Sequence, residues 1–235
     1  MVVFPNAKIN LGLNIIERRA DGYHNIQSCF FPVDWVDVLE VVEQASFDFT
    51  HSGIDIPGDP AKNLVVLAFK RLQKEFGLPN LAIHLHKNIP IGAGLGGGSS
   101  DGAFMLKLLN QKFELMLSDA QLETYAAEMG SDCAFFIQNK PMFVEGTGTI
   151  FSDINIDLKG YYIIIIYPDI HISTSEAYSG IVPTVPSTNL KDNLQDLAPS
   201  AWQAVIVNDF ESAVAERHDA ITGLISQLKE SGAVY

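Results

Sequence analysis

Residues 90–101 run Pro90-Ile91-Gly92-Ala93-Gly94-Leu95-Gly96-Gly97-Gly98-Ser99-Ser100-Asp101. Five glycines fall between positions 92 and 98, and two serines follow at once. Glycine tolerates positive φ and lets main-chain N–H groups come close to an anion, at an entropic cost that a ligand-free loop has little reason to carry. The stretch lies between an alternating segment at 81–86 and a helix expected over 101–112. A glycine run at the mouth of a helix offers unpaired N–H groups and the positive end of the helix dipole, and both suit phosphate. Ser99 and Ser100 are placed to cap the helix, donate to phosphate or reach a Mg²⁺ ion.

Two other anion motifs fit less well. Gly92-x-Gly94-x-x-Gly97 matches the dinucleotide fingerprint, which requires a second parallel strand ending in an acidic residue about 20 positions on. Asp119 has the distance but opens a helix. The Walker pattern needs Lys and then Ser or Thr after the last glycine, and here Gly98 is followed directly by Ser99.

Residues 7–15 alternate strictly between apolar and other side chains, the mark of a half-buried strand. Lys8 and Asn10 then share its exposed face, about 7 Å apart at the usual strand rise. Asp21-Gly22 marks a turn, and further strands are expected near 27–31, 36–42, 46–50 and 81–86. Asp59-Pro60 opens a helix carrying Val65, Phe69, Leu72 and Phe76, and Gly77 and Pro79 stop it. Ser118 and Gln121 form a capping box for a helix ending at Gly130. Asp132, just beyond, is equally an N-cap for the next turn or a carboxylate fixed at a helix junction. Residues 145–148 read as a hairpin turn, 161–167 as an apolar strand and 182–196 as a loop. A helical segment with a break near 217–219 spans 208–229. Strands and helices in unequal runs point to an α+β fold. A composition change after residue 150 suggests domains at 1–150 and 151–235.

Charge narrows the function. Fifteen basic against 28 acidic residues give a net charge of −13, which repels nucleic acid and requires any bound phosphate to be held locally. No apolar stretch approaches the roughly 18 residues that span a membrane. The opening residues lack the blocks of a signal or transit peptide, so a cytoplasmic enzyme is expected. Cys29 and Cys133 alone supply neither a disulfide framework nor a four-ligand metal site.

Pro90-x-x-x-Gly94-Leu95-Gly-Gly-Gly-Ser99-Ser100 resembles the phosphate-binding motif of the GHMP kinase superfamily of small-molecule kinases. Ala7-Lys8-Ile9-Asn10-Leu11, Asp21-Gly22-Tyr23-His24 and Gly130-Ser131-Asp132-Cys133 are similar to motifs of its branch acting on a cytidylyl-linked sugar alcohol. The resemblance implies an N-terminal domain like the second domain of ribosomal protein S5, a smaller α+β C-terminal domain, and a cleft between them. It implies ATP with Mg²⁺ along Pro90, Gly92, Gly94, Leu95, Gly96, Gly97, Gly98, Ser99 and Ser100. Asn63 and Lys87 would lie at the adenine end. Asp132 would take the hydroxyl proton, with Lys8 stabilising the shifting charge. Asn10 and Thr174 would bind the sugar alcohol, while Tyr23, His24 and Tyr178 would contact cytosine.

Without the resemblance, Lys8 reads as a solvated lysine, Tyr23-His24 as a packing pair, Asn63 as a first-turn residue and Lys87 as a strand-end cation. His84 and His86 read as sheet surface. A mevalonate or sugar kinase of the same superfamily, and a non-catalytic nucleotide-binding module, are the rival functions. The family carries a further glycine-serine or glycine-threonine loop after a segment like residues 230–235. The sequence stops before it, so an incomplete second domain is expected.

Overall fold

The computed structural model describes the chain apart from His171, Ser173 and Glu216 and the side chains of Thr174, Ser175, Ser212, Ala213 and Ala215. The chain opens with β1 (Val2–Val3), β2 (Asn6–Arg18), β3 (His24–Val36), β4 (Val38–Glu43) and β5 (Asp48–Gly53). A 3-10 turn at Pro60–Lys62 leads into α1 (Leu64–Phe76), followed by β6 (Leu81–Lys87) and α2 (Gly97–Lys112). Then come α3 (Asp119–Met129), α4 (Phe135–Gln138) and the hairpin of β7 (Met142–Gly146) and β8 (Ile150–Asp153). Beyond lie α5 (Thr174–Tyr178), α6 (Leu190–Asp196), α7 (Pro199–Trp202), α8 (Asp209–Ala215) and α9 (Asp219–Glu230).

By internal contacts the chain divides into two units, each discontinuous. One is Met1–Ile9 with Pro32–Lys140, the other Asn10–Phe31 with Pro141–Tyr235. The composition change near 150 follows the linear order, whereas β2 and β3 each contribute residues to both units.

In the first unit a sheet has the order β1-β4-β6-β5. The alternation of β6 buries Leu81, Ile83 and Leu85, and cross-strand pairing sets Leu39 against Leu85 and Val41 against Ile83. β5 runs parallel to β6, and α1 makes the crossover between them. Asp59-Pro60 opens only the 3-10 turn; α1 itself starts at the Asn63 cap, whose side chain accepts the Val65 N–H at 2.9 Å. Left-handed Gly77 ends it. Val65, Phe69 and Leu72 of α1 and Met105, Leu106 and Leu109 of α2 complete this core. The capping box of Ser118 and Gln121 starts α3 as expected.

In the second unit the sheet order is β2-β3-β7-β8, with Ile26 to Phe30 paired antiparallel to Gly146 to Met142. β2 departs from the half-buried expectation, because chain packs on both faces here. At Gly12 a Cβ would lie 2.7 Å from Leu190 and 2.8 Å from Ile206, so only glycine fits beneath them. Leu13, Ile15 and Ile26 form a core cluster with Tyr178, Ile181 and Phe210 packed against it. Part of the expected 182–196 loop is helical: Asn189 caps α6, which buries Leu190 and Leu194. The expected strand at 161–167 does not form. It finds no ladder partner among the described residues, and Tyr162 and Ile164 are 96% and 72% exposed. The expected break in the last helical segment separates α8 from α9. No helix among the described residues is long and apolar enough to cross a membrane.

Candidate active site

The glycine stretch is more helical than its composition suggests. α2 begins at Gly97, four residues before the expected start, so Gly97, Gly98, Ser99 and Ser100 form its first turn. Its N-cap is Gly96, left-handed at φ 69°, and no side chain caps it. The first-turn N–H groups are therefore left to a ligand or solvent. Gly92 and Gly94 also have positive φ, at 73° and 74°. The loop has a packed side and an open one. A Cβ at Gly96 would lie 2.9 Å from the Phe136 ring and 3.1 Å from the Lys8 side chain, but at Gly94 or Gly98 it would meet nothing within 4 Å. Pro90, Leu95 and Ser100 are buried, and the Ser100 hydroxyl has no hydrogen-bond partner. Uncapped amides facing open space, with a spare hydroxyl beside them, fit a polyphosphate and its counter-ion.

Lys8 is attached to this loop twice. Its main-chain N–H donates to the Leu95 carbonyl at 2.9 Å, and its aliphatic stem packs at Gly96. Its ammonium lies 3.6 Å from the Asp132 carboxylate. Strand alternation placed Lys8 on an exposed face; instead its side chain is 6% exposed, while that of Asp132 is 29% exposed. Burial holds the Lys8 pKa below the ordinary lysine value, and the charge of Asp132 opposes that shift. Asp132 sits between α3, which ends at Gly130, and α4, whose N-cap is Ala134, so it caps neither helix. Its neighbour Cys133 is fully buried, with the thiol pushed up to about 11 by burial, against a hydrogen bond with Ser99. The first unit thus brings together an amide crown, a buried cation and a partly open carboxylate. That set can orient a phosphoryl donor and accept a hydroxyl proton.

The two residues expected at the adenine end differ. Asn63 lines a cavity of about 240 Å³ with Phe49, His51, Pro57 and Lys62. Lys87 is buried, its ammonium is bound by Asp37 and Asp101, and its carbonyl accepts the Ile54 N–H at 2.8 Å, so the residue is engaged within the fold. Neither aspartate stands out in the sequence. Their signal is the pairing itself, across 50 and 14 positions. Phe136, which backs Gly96, was equally unannounced.

Asn10, Tyr23, His24 and Tyr178 belong to the second unit. Asn10 is half-buried on β2, and Tyr23 is 67% exposed beside the turn that Asp21 closes by accepting its N–H at 3.1 Å. His24 stacks on Tyr178, with ring centroids 4.7 Å apart and planes at 18°. Tyr178 in turn meets Phe210 edge-on at 4.9 Å. Thr174 opens α5, and its side chain lies outside the described residues.

Comparison with known proteins agrees with this chemistry. The family model described as the GHMP kinases N terminal domain matches residues 63–140. A 4-diphosphocytidyl-2-C-methyl-D-erythritol kinase of Bacteroides thetaiotaomicron is 51% identical over 239 residues, covering 100% of this chain and 87% of the relative. One from Bacteroides fragilis is 49% identical with the same coverage. A solved 4-(cytidine 5'-diphospho)-2C-methyl-D-erythritol kinase aligns with TM-score 0.80 at 24% identity, over 99% of this chain and 84% of that one. A homoserine kinase from Cytophaga hutchinsonii aligns with TM-score 0.70 at 15% identity, over 99% and 79%. These two structural likenesses speak for the fold.

Proposed function

We infer from one premise, that the chain belongs to the 4-diphosphocytidyl-2-C-methyl-D-erythritol kinase family, that it is an ATP-dependent kinase of that cytidylyl sugar alcohol. The reaction transfers a phosphoryl group to the substrate's 2-hydroxyl, a step in isoprenoid synthesis by the non-mevalonate route. One observation carries the chemistry: the Lys8–Asp132 pair is built onto the uncapped first turn of α2.

Phosphoryl transfer is mostly positioning and electrostatics. The amides of Gly97, Gly98 and Ser99 hold and orient the donor phosphates. Asp132 accepts the hydroxyl proton as the oxygen attacks, a task its partial exposure permits. Lys8 keeps a positive charge beside the reacting oxygen, and the loop carbonyl that binds its main chain fixes its reach. Among the described residues no three His, Cys, Asp or Glu side chains come together to hold a metal. A Mg²⁺ ion would then ride on the nucleotide, neutralising phosphate charge, with the spare Ser100 hydroxyl as the fitting protein donor. Asn63 and its cavity take the adenine end. Asn10 and Thr174 bind the sugar alcohol, and Tyr23, His24 and Tyr178 offer ring surface to cytosine.

The test is a coupled ADP-release assay with the cytidylyl substrate and mevalonate side by side. ADP formed only with the former supports the reading. Turnover of mevalonate instead would make this another GHMP kinase, and nucleotide binding without any ADP would make it a binding module.

A further inference from the structure

The second unit holds a cavity of its own, about 550 Å³ in volume and well within the range of small-molecule sites. Strand alternation puts Asn10, Gly12 and Asn14 on one face of β2. Leu190 and Ile206 close over Gly12, between the two asparagines, so the cavity, which Asn14 lines, is set apart from Asn10. Asn14 is only 9% exposed, and its side-chain amide has no hydrogen-bond partner among the described residues. A buried amide left unpaired carries a desolvation cost, which a polar ligand in the cavity would remove.

Two opposite charges line the same cavity without meeting. Arg217 spends three of its five N–H groups within the fold, on the Glu176 carbonyl at 3.3 Å, the Ser179 hydroxyl at 2.7 Å and the Ser179 carbonyl at 2.8 Å. Asp209 accepts the Ile15 N–H on Oδ2 at 2.6 Å, which leaves Oδ1 for another donor. Among the described residues no ion pair joins Arg217 to Asp209. Leu190, Val205 and Val207 add an aliphatic wall, and no aromatic ring lines the cavity among the described residues.

This lining selects by charge and by shape. A polyphosphate would meet Asp209 as like charge, and the net charge of −13 opposes any anion. A nucleobase needs a ring to stack on, and the cavity offers none. A molecule that carries a carboxylate and an ammonium, with no net charge, satisfies both unspent groups at once. We propose that the cavity binds a small zwitterion, a free amino acid with an aliphatic side chain. Its carboxylate takes the two remaining N–H groups of Arg217, and its ammonium donates to Asp209 Oδ1. The Asn14 amide bonds the same polar end, while the side chain lies on Val205 and Val207.

Titration calorimetry with L-leucine, N-acetyl-L-leucine and L-leucinamide tests this, because acetylation removes the ammonium and amidation the carboxylate. L-leucine binds, and each modification weakens binding about tenfold or more, the loss of one charge-assisted hydrogen bond. Asn14→Ala weakens L-leucine by about tenfold as well. Arg217 also fastens the turn after α5, so the modified ligands probe its role with the fold untouched. Should Asn14→Ala fail to fold, the ligand series alone decides. No binding of L-leucine at up to about 10 mM overturns the proposal. So does equal binding of all three ligands, or undiminished binding of L-leucine by folded Asn14→Ala.

Discussion

Lys8 and Asp132 form an ion pair 3.6 Å apart in which the cation is buried and the carboxylate partly open. The asymmetry suits a proton acceptor, because the group that must meet the incoming hydroxyl is the accessible one. Asp132→Asn keeps the shape and removes the basicity. It should lower kcat by about 10²–10⁴, the usual range for a general base, and move the KM for ATP by less than about threefold. Steady-state ADP release at saturating cytidylyl substrate measures this. Near-normal turnover would remove Asp132 from the mechanism.

Lys8 should set the alkaline limb of the rate. Its lowered pKa means that in the free enzyme the charge is lost below the ordinary lysine value of 10.5, so kcat/KM should fall at a lower pH than an exposed lysine would impose. Stability moves the other way. The unfolded chain holds this proton up to the ordinary value while the folded one has released it, so stability rises with pH across that window. Lys8→Met should abolish the limb and cut kcat, and paired pH profiles of rate and melting temperature separate the two effects.

Two glycines in one turn should respond with opposite signs in stability. Gly96→Ala forces a side chain into a left-handed residue and against Phe136, costing about 1–3 kcal/mol of strain. Gly98 lies in the helix with open space around it, so Gly98→Ala should gain up to about 1 kcal/mol of helix propensity. A helical Cβ tilts toward the N-terminus, however, into the space where phosphate would sit. Both variants should therefore weaken ATP binding while melting temperature falls in one and rises in the other. Unchanged ATP binding in Gly98→Ala would mean that the first turn does not face the nucleotide, and a fall in its melting temperature would remove the propensity argument.

Asp101 should leave its mark on stability. Its carboxyl titrates near 7 in the fold against 3.8 ordinarily, so between those values the folded state holds a proton that the unfolded state has lost. Stability should then decline as pH rises from about 4 to about 7, by at most ~1.4 kcal/mol per pH unit, and level off above. Asp101→Asn should flatten that slope in denaturant titrations. An unchanged slope would assign it to other groups.

Elements specified by local signals are legible in the sequence. The capping box of Ser118, the alternation of β6 and the glycine stretch act over a few residues, so α3, β6 and the glycine turn before α2 were legible. What was not legible depends on partners far along the chain. Lys87 is neutralised by residues 50 and 14 positions away, so it reads as a loose strand-end lysine. Lys8 looks solvent-facing because strand period two says nothing of Phe136, which packs with it at Gly96. Residues 161–167 have strand composition, yet a strand exists only with a hydrogen-bonded neighbour.

The aromatic group of the second unit yields the last prediction. His24 and Tyr178 already stack at 4.7 Å. A base between them needs roughly twice the ~3.5 Å contact distance of carbon atoms, so it must either part them or lie on an outer face. Tyr23, 67% exposed, is free to close on it. Tyr178 also packs on Leu13, Ile15 and Ile26, so Tyr178→Ala should lower stability as well as cytosine affinity. Tyr178→Phe keeps the ring and isolates the difference. Tyr178→Ala and Tyr23→Ala should each raise the KM for the cytidylyl substrate about tenfold, in line with about 1–3 kcal/mol per stacked base, while Tyr178→Phe should not. The KM for ATP serves as the control and should stay within about twofold. If both alanine variants bind the cytidylyl substrate normally, these rings are packing residues and cytosine is read elsewhere.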